Sequence, residues 1–529
     1  MQWLVPVGGR RRPGVVFGLL AAAAGAVVLL GDWKSAAALA VLVPAGLALL
    51  ALTELPWGAV LAAAVAAAGA VLVSRPEVTM RELAVVVAAV LVLGPLAVAL
   101  IRRRTGPPLI AAGVMVALIC LIRPSATGYA AGAFLTAAGL LVAARGRWRI
   151  GAAVAIVALL AAGLVVRATD PHPGAFYAAP KDRPAGHGVL VRSEPLTRGL
   201  PAGAHAWRIL YTTTREDGSA TVASAVVVAA NAAPAGPRPV VVWAHGATGI
   251  TPGCAPSLGP DPVGVDSIPD VAQALAAGWV VIAPDYSGLG TSGPHPFLIG
   301  LGEARSLLDA VLAAGGLGGL VLGGKTLVWG HSQGGNAALW SGIIAPSYAP
   351  AAGLAGVAAL APGSGLPELA ELWGDGVYAA YLIEAYSETY PDVHFDSYVR
   401  ATARVPVREL AGRCLDDVSG LSRLLGGRSI WSAPPGTGPF GDRLRQNVPD
   451  RPIGVPVLIG QGAADTTVPA TVQDAYVRME CATGTRVDYR TYPGRDHVGI
   501  FTGDSPLLPE LMQWSRDRFT GKQAHTTCG

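Results

Sequence analysis

Charged residues are scarce in this chain, because Asp, Glu, Lys and Arg make up only 14% of its 529 residues. An ordinary soluble protein has about 25%, so the composition excludes a chain that is soluble and globular throughout. The scarcity is uneven. Residues 1–167 are almost entirely Ala, Val, Leu and Gly with short charged islands, whereas later residues have a globular composition. The sequence therefore predicts a membrane region followed by a globular region.

A basic stripe is also missing. The formal net charge is only +4, and the arginines of the first third mostly flank apolar runs. Nucleic-acid-binding proteins cluster Lys and Arg on one face or along one helix, so we expect no nucleic-acid partner. The apolar runs also lack the paired ionisable residues that mark an ion or proton path. A multi-span anchor is therefore the simplest role for this region, and transport, lipid handling or sensing is the alternative.

Several apolar runs in residues 1–167 are long enough to cross a membrane. A helix that crosses a hydrocarbon core of about 30 Å needs roughly 20 apolar residues. By this criterion we predict an all-α transmembrane region of about seven helices, of which the third is the weakest. The candidate spans are 14–31, 35–53, 57–73, 82–101, 107–122, 127–144 and 149–166.

Arginine clusters between these spans predict the orientation. Short cytoplasmic loops of membrane proteins are enriched in Lys and Arg. With this set of spans, the clusters at 10–12, 102–104 and 145–149 all fall on one side, which we expect to be cytoplasmic. The last span then leads the chain outward. We expect a multi-pass protein of the cell membrane whose globular domain is extracellular.

After residue 167 the chain changes character. Residues 168–187 are rich in Pro, Gly and Ala and have no apolar period, which predicts a linker. Residues 188–529 then contain short apolar runs, and from residue 239 onward these alternate with helical stretches. This pattern is typical of an α/β domain with a mostly parallel sheet covered on both faces. The predicted strands are 188–196, 207–214, 221–230, 239–245, 279–283, 320–329, 356–361, 455–460 and 486–492, of which the first three favour an antiparallel edge.

The predicted helices between these strands are 268–277, 304–314, 335–344, 468–478 and 506–519. Residues 364–453 separate two predicted core strands and are too many for a simple crossover. They include helical stretches near 366–381 and 397–412. We therefore predict that residues 364–453 form an inserted helical cap.

The most informative motif is Gly-His-Ser-Gln-Gly at residues 330–334. The pattern is weak alone because Gly and Ser are common, but here it follows a predicted strand and opens a predicted helix. That strand–turn–helix context is what a nucleophile elbow requires. Ser332 would then stand exposed above the sheet, and the backbone N–H of Gln333 would point to where an oxyanion forms.

A serine hydroxyl is a poor nucleophile unless a base takes its proton. Asp465 and His497 each follow a later predicted strand, and their order, acid then base, fits the elbow. Their positions after strands place them at the same edge of the sheet as Ser332. Asp496 is the alternative acid, although a residue adjacent to the base does not easily fold back onto its ring.

Two other loops follow core strands. Residues 245–249 (HGATG) come after a predicted strand, where esterases commonly place a second oxyanion donor. The N–H of Ala247 is the candidate donor, and a plain turn is the alternative. The run 285–290 (DYSGLG) is interpreted as a structural loop near the mouth of the site, with direct participation in the site as the alternative.

Cysteines number only five. Cys120 lies within a predicted span, and the other four lie in the half expected outside the cell, where disulfides persist. Four cysteines allow three pairings. We favour Cys254–Cys414, which would tie the cap to the oxyanion side, and Cys481–Cys528, which would hold the C-terminal tail.

Together these motifs resemble the secretory lipase family of α/β-hydrolases, over roughly residues 175–520. The resemblance implies an α/β-hydrolase fold with a helical cap, and hydrolysis of triacylglycerols or simpler acyl esters. Members of this family are usually secreted behind a cleaved signal peptide, so the predicted spans are a departure that favours a tethered enzyme. The matching segments are 176–177, 190–196 (LVRSEPL), 245–249, 254–257 (CAPS), 285–290, 293–296 (GPHP), 330–335 (GHSQGG) and those around Asp465 and His497.

The sequence thus predicts a membrane-anchored serine esterase or lipase that needs no metal or organic cofactor. Two alternatives are an acyltransferase with a lipid or glycan acceptor, and a transporter or sensor whose outer domain only binds ligand. Apolar cap residues are expected to form the cap core or to line an acyl pocket, and the candidates are Leu366, Leu369, Leu372, Tyr378 and Tyr381. The predicted catalytic residues are Ser332, Asp465 and His497, and the predicted oxyanion donors are Gln333 and Ala247.

Overall fold

The computed structural model describes residues 173–232, 236–263, 268–374, 376–418 and 429–529. They fall within one compact unit, Pro171–Gly529. The predicted spans in residues 1–167 lie outside the described residues. Within the described ranges, no helix combines the length and the apolar character needed to cross a membrane.

A mixed nine-stranded sheet forms the centre of this unit, with the strand order β1-β2-β3-β5-β4-β6-β7-β8-β9. The first three strands pair antiparallel, and β3 also pairs antiparallel with β5. From β5 to β9 every pair is parallel. The predicted antiparallel edge on a mostly parallel sheet is therefore confirmed. The strands are β1 (Leu190–Leu196), β2 (Ala204–Thr214), β3 (Ala220–Ala230), β4 (Arg238–Ala244), β5 (Val280–Pro284), β6 (Leu322–His331), β7 (Leu354–Leu360), β8 (Val457–Gly462) and β9 (Val487–Tyr492).

Helices lie between and after the parallel strands. Those in the described ranges are α1 (Val271–Ala276), α2 (Gly300–Ala314), α3 (Gln333–Tyr348), α4 (Leu366–Leu372), α5 (Val377–Thr389), α6 (Phe395–Tyr398), α7 (Arg404–Ala411), α8 (Leu415–Val418), α9 (Gly438–Gln446), α10 (Ala470–Ala482) and α11 (Leu507–Thr520). Short 3-10 helices occur at Ala175–Tyr177, Pro252–Cys254, Pro256–Leu258, Pro350–Ala352 and Gly499–Phe501.

Both faces of the sheet are covered, because the central strands are apolar on both sides. In β4, Val240 and Val242 pack with residues of α2, α3 and α10 in one buried cluster. Val241 and Trp243 point the other way and pack with residues of α1 and α11. This two-sided core holds the carboxyl ends of the parallel strands in fixed positions, and the functional side chains follow those ends.

Residues 364–453, for which the name cap is kept, differ in detail from the prediction. The expected helical stretch near 366–381 is two helices, because the chain breaks after Leu372 and resumes at Val377. Gly374 and Gly376 lie in this break, and glycine is costly inside a helix. Two further helices, α8 and α9, were not predicted.

Aromatic and aliphatic side chains give the cap its own core, which includes Leu366, Leu369 and Tyr381. All three are fully buried. Tyr378 is partly buried against the same cluster. Leu372 is 48% exposed, so it does not pack in the cap core as expected.

Both favoured disulfides are present, Cys254–Cys414 and Cys481–Cys528. The first joins the chain after β4 to the segment between α7 and α8. Beside it, the N–H of Leu415 donates a hydrogen bond of 2.8 Å to the carbonyl of Thr248. The cap is thus joined covalently and by hydrogen bonding to the segment at 245–249.

Candidate active site

Ser332 occupies the single-residue turn between β6 and α3. Its backbone has φ 54° and ψ −116°. A positive φ is unfavourable for a residue with a side chain and persists only where surrounding structure enforces it. The turn places the hydroxyl at the carboxyl end of β6, as the strand–turn–helix pattern predicts.

The glycines at 330 and 334 explain how this turn is enforced. A Cβ atom on Gly330 would lie 2.0 Å from the carbonyl oxygen of Gly334. One on Gly334 would lie 1.9 Å from the carbonyl oxygen of Ala244, at the end of β4. Both distances are far below van der Waals contact, so side chains at these two positions would push α3 away from the sheet.

His497 connects the serine to an acid. Its Nε2 atom lies 2.9 Å from Ser332 Oγ. Its Nδ1 atom lies 2.7 Å from Asp465 Oδ2. Asp465 follows β8 and His497 follows β9, so the structure brings together three residues separated by 165 and 32 positions in the chain.

Asp465 is surrounded by hydrogen-bond donors. The N–H groups of Thr467 and Val468 each donate to Oδ1 at 2.8 Å. The Gln461 side-chain amide donates to Oδ2 at 3.2 Å. Burial alone would raise the pKa of Asp465, but the hydrogen bond and charge of His497 and the neighbouring amides lower it below 3.8. The carboxylate therefore stays charged beside the imidazole.

The alternative acid is engaged elsewhere. Asp496 is exposed, and its Oδ1 atom accepts a hydrogen bond of 2.7 Å from the N–H of Gly499. It stabilises a turn after His497.

The segment at 245–249 approaches the serine from β4. A Cβ atom added to Gly246 would lie 3.6 Å from Ser332 Cβ and 3.1 Å from His331 Nδ1. Ala247 follows directly and is partly buried against the cap cluster. On the other side, Gln333 is the first residue of α3, and the first N–H groups of a helix have no acceptor within it. The two predicted oxyanion donors therefore belong to segments that adjoin Ser332.

Comparisons with known proteins show that this chain is similar to lipases. A family model described as secretory lipase matches residues 263–426. Lipase A of Moesziomyces aphidis is 24% identical over 395 residues, which cover 68% of this chain and 82% of that protein. Lipase 5 of Candida albicans is 26% identical over 415 residues, which cover 70% and 86%. The chain is a carboxylic ester hydrolase. The match to a secretory family indicates that this hydrolase is extracellular or secreted.

Solved structures identify the fold of the hydrolase. Candida antarctica lipase A in its closed state superposes with a TM-score of 0.58 and 21% identity, covering 68% of this chain and 88% of that one. The rice cell wall degrading esterase LipA from Xanthomonas oryzae superposes with a TM-score of 0.54 and 20% identity, covering 63% and 100%. The predicted α/β-hydrolase fold is thus confirmed for the described part of the hydrolase.

Three residues beside the site were missed by sequence reasoning. His331 donates from Nε2 to the carbonyl oxygen of His497 at 2.8 Å, and burial lowers the pKa of its ring to about 3. Its position next to Ser332 in the Gly-His-Ser-Gln-Gly motif could have indicated that it lies beside the site. Glu303 and His295 contact the side chain of Gln333. Glu303 gave no sign, because glutamate side chains are mostly exposed in folded proteins.

The DYSGLG run is structural in the hydrolase, as interpreted. Asp285 is fully buried and accepts hydrogen bonds of 2.6 Å from Ser224 and from Ser257. The hydroxyl of Tyr286 donates to the carbonyl of His245 at 3.0 Å. These contacts hold the start of the segment at 245–249 in position.

Proposed function

We propose that this hydrolase is a serine esterase or lipase anchored in the cell membrane, with a catalytic triad of Ser332, His497 and Asp465. The main support is the continuous pair of hydrogen bonds from Ser332 Oγ through His497 to Asp465, at 2.9 and 2.7 Å. Asp496, the rival acid, is exposed and bonded to Gly499.

In the proposed reaction, Ser332 Oγ attacks the ester carbonyl carbon while its proton passes to His497 Nε2. Asp465 holds the Nδ1–H tautomer and stabilises the imidazolium that forms. His497 then protonates the alcohol as the carbon–oxygen bond breaks, which leaves an acyl group on Ser332. Water then attacks this acyl group and gives a proton to His497. The bond from the acyl carbon to Ser332 Oγ breaks, His497 returns the proton to Oγ, and the acid is released.

Negative charge on the former carbonyl oxygen needs donors on the other side of the serine. We assign this role to the backbone N–H groups of Gln333 and Ala247. Gln333 begins a helix, whose N-terminus favours negative charge, and Gly246 lets the segment with Ala247 approach Ser332. Removing one such donor typically slows a reaction by about 10²–10³-fold.

Lipid esters are the proposed substrates, either triacylglycerols or simpler acyl esters. The relatives include a Malassezia globosa protein named secreted triacylglycerol lipase LIP7. The cap also has an apolar cluster that reaches Ala247 and Ile250. Such a surface suits an acyl chain better than a charged leaving group.

A membrane anchor formed by residues 1–167, with the catalytic domain outside the cell, completes the proposal. Its support is the apolar composition of that region and its arginine clusters. The two disulfides are also typical of proteins in an oxidising compartment.

The triad is tested by assaying the full-length protein on esters of graded acyl chain length, with Ser332→Ala as the control. We expect wild type to hydrolyse at least one class and Ser332→Ala to lose about 10⁶-fold in kcat. Equal slow rates for the two proteins on every ester would contradict the mechanism.

The anchor and its orientation are tested on intact cells. We expect cells that express the full chain to hydrolyse an ester that cannot cross the membrane, and external protease to remove this activity. Cells expressing Ser332→Ala serve as the blank. Activity that appears only after cell lysis, or only in the culture medium, would contradict the proposed location.

A further inference from the structure

The side chain of Gln333 belongs to a buried hydrogen-bond network that does not include the three residues of the proposed triad. It contacts Glu303, in the first turn of α2, and His295, in the loop before α2. All three residues are at least 98% buried, with exposed fractions of 2%, 0% and 1% for Gln333, Glu303 and His295. None of these side chains takes part in the proposed reaction.

Both amide hydrogens of Gln333 are used. Nε2 donates to Glu303 Oε1 at 2.6 Å and to His295 Nε2 at 2.9 Å. His295 Nε2 accepts a hydrogen bond only when its ring proton is on Nδ1, and Nδ1 lies 3.2 Å from the carbonyl oxygen of Ser287. His295 is therefore neutral, and burial lowers its pKa to about 3.

Two oxygen atoms of the network have no partner. Glu303 Oε1 accepts from Gln333 and from the N–H of Leu298 at 2.9 Å. Glu303 Oε2 and Gln333 Oε1 are buried without a hydrogen-bond partner among the residues that the structure describes. Leaving a buried polar atom unpaired costs about 1–3 kcal/mol. A proton on Oε2 would make that atom a donor. We assign Gln333 Oε1 as its acceptor, because this oxygen belongs to the same carboxamide that already bonds Glu303 Oε1.

The groups around Glu303 favour that proton. Burial raises the pKa of Glu303 to about 8, against the hydrogen bonds from Gln333 and Leu298. Tyr286 and Tyr386 interact electrostatically with Glu303, and burial raises their pKa values well above 10. Their hydroxyls donate to the carbonyls of His245 and Leu298 instead. His245 lies beside His295, and burial lowers its pKa to about 4. Glu303 is therefore the member of this group that titrates just above neutral pH.

We infer that Glu303 is a protonated positioning residue, whose carboxyl group and the Gln333 amide form a two-point acid–amide pair that fixes the oxyanion-hole segment. This inference rests on the proposed function of Ser332 and Gln333. Fixing the Gln333 side chain also fixes its backbone N–H, which is the group assigned to the developing oxyanion. Ionisation of Glu303 removes one of the two hydrogen bonds and places a charge in an apolar setting.

The test compares full-length wild type with Glu303→Gln and Glu303→Leu. Glutamine keeps both hydrogen bonds as an amide–amide pair and does not titrate, whereas leucine keeps the volume and loses both bonds. Glu480→Gln is the matched control, because Glu480 is also fully buried, with its pKa raised to about 7, but bonds to Thr485 instead of Gln333.

We expect kcat of wild type to fall as the pH rises through about 8, and Glu303→Gln to keep most of the activity and lose this fall. Glu480→Gln should keep the wild-type profile. Glu303→Leu should lower kcat about tenfold with little change in KM, because an oxyanion donor acts mainly in the transition state. Equal pH profiles for wild type and Glu303→Gln would overturn the inference.

Infrared difference spectra of wild type minus Glu303→Gln provide a readout that does not depend on activity. We expect the band of a protonated carboxylic acid at neutral pH, replaced by a carboxylate band at high pH. A carboxylate band at neutral pH, with Ser332→Ala inactive, would overturn this inference and leave the triad intact. An active Ser332→Ala with the acid band present would overturn the triad and leave the protonation of Glu303 intact.

Discussion

Two buried carboxyl groups, one bonded to His497 and the other to Gln333, differ in how many donors surround them. Asp465 accepts from two backbone N–H groups, the Gln461 amide and His497. Glu303 accepts from the Gln333 amide and one backbone N–H. The pKa of Asp465 is lowered below its ordinary value, whereas burial raises that of Glu303 to about 8.

The difference shows that burial alone does not decide whether a carboxyl group is charged. Desolvation penalises the ionised form of both groups, and only donors and opposite charges offset it. Asp465 has enough donors to keep a negative charge, which can stabilise an imidazolium at His497. Glu303, beside the proposed oxyanion donor Gln333, has too few donors to stay charged. This suits a position where a second negative charge would oppose the proposed oxyanion.

Replacing Asp465 by Asn removes the proposed catalytic acid and should have the largest effect on kcat. We expect kcat to fall by about 10³–10⁴-fold, because the amide favours the wrong tautomer of His497. Esterase kinetics of the full-length protein measure this. Asp496→Asn is the matched control and should keep wild-type kcat. A large loss in Asp496→Asn with a small one in Asp465→Asn would reverse the assignment of the acid.

Replacing Ala247 by Pro removes a proposed oxyanion donor and should have a smaller effect on kcat. Proline has no N–H, and loss of one oxyanion donor costs about 10²–10³-fold in kcat. Ala247→Gly keeps the donor and should stay close to wild type. If the two variants have the same kcat, Ala247 is not a donor and residues 245–249 are a plain turn.

Removing each disulfide in turn should have a smaller effect on kcat, and only one of the two should affect the segment at 245–249. The Cys254→Ser/Cys414→Ser variant should lose up to about tenfold in kcat, since freeing the cap loosens the segment beside Ala247. The Cys481→Ser/Cys528→Ser variant should keep wild-type kcat. Thermal unfolding should show both variants destabilised, by about 2–5 kcal/mol. A loss of kcat in the second variant alone would mean that the Cys254–Cys414 disulfide does not position the segment beside Ala247.

Stability against pH should show opposite signs for the two carboxyl groups. Asp465 has a lowered folded pKa, so its contribution is present above 3.8 and is lost as the pH falls further. Glu303 has a raised folded pKa, so the folded state binds the extra proton and loses stability as the pH rises from 4.5 to about 8.

Unfolding of wild type, Asp465→Asn and Glu303→Gln, followed by fluorescence from below pH 3.8 to about pH 8, measures both slopes. Each slope should be at most about 1.4 kcal/mol per pH unit. Slopes of the same sign would remove the contrast between the two carboxyl groups.

Much of the fold was predictable because its signals are local. All nine predicted strands are present, since short apolar runs bounded by glycine, proline and polar residues mark strand ends. The cap was harder. Its helices are short and are set by packing of aromatic residues such as Tyr386 and Phe440, and a glycine-containing break divided one predicted stretch into two.

The sequence by itself determined the residue types of the proposed triad, their order and their positions after strands, because parallel strands place their carboxyl ends at one edge. Only the tertiary structure decided which acid faces His497, and which carboxyl group is surrounded by donors. It also brought Glu303 and His295 beneath Gln333, across 30 and 38 positions of the chain. Burial and partner count are properties of the packed chain, so the protonation of Glu303 has no counterpart in the sequence.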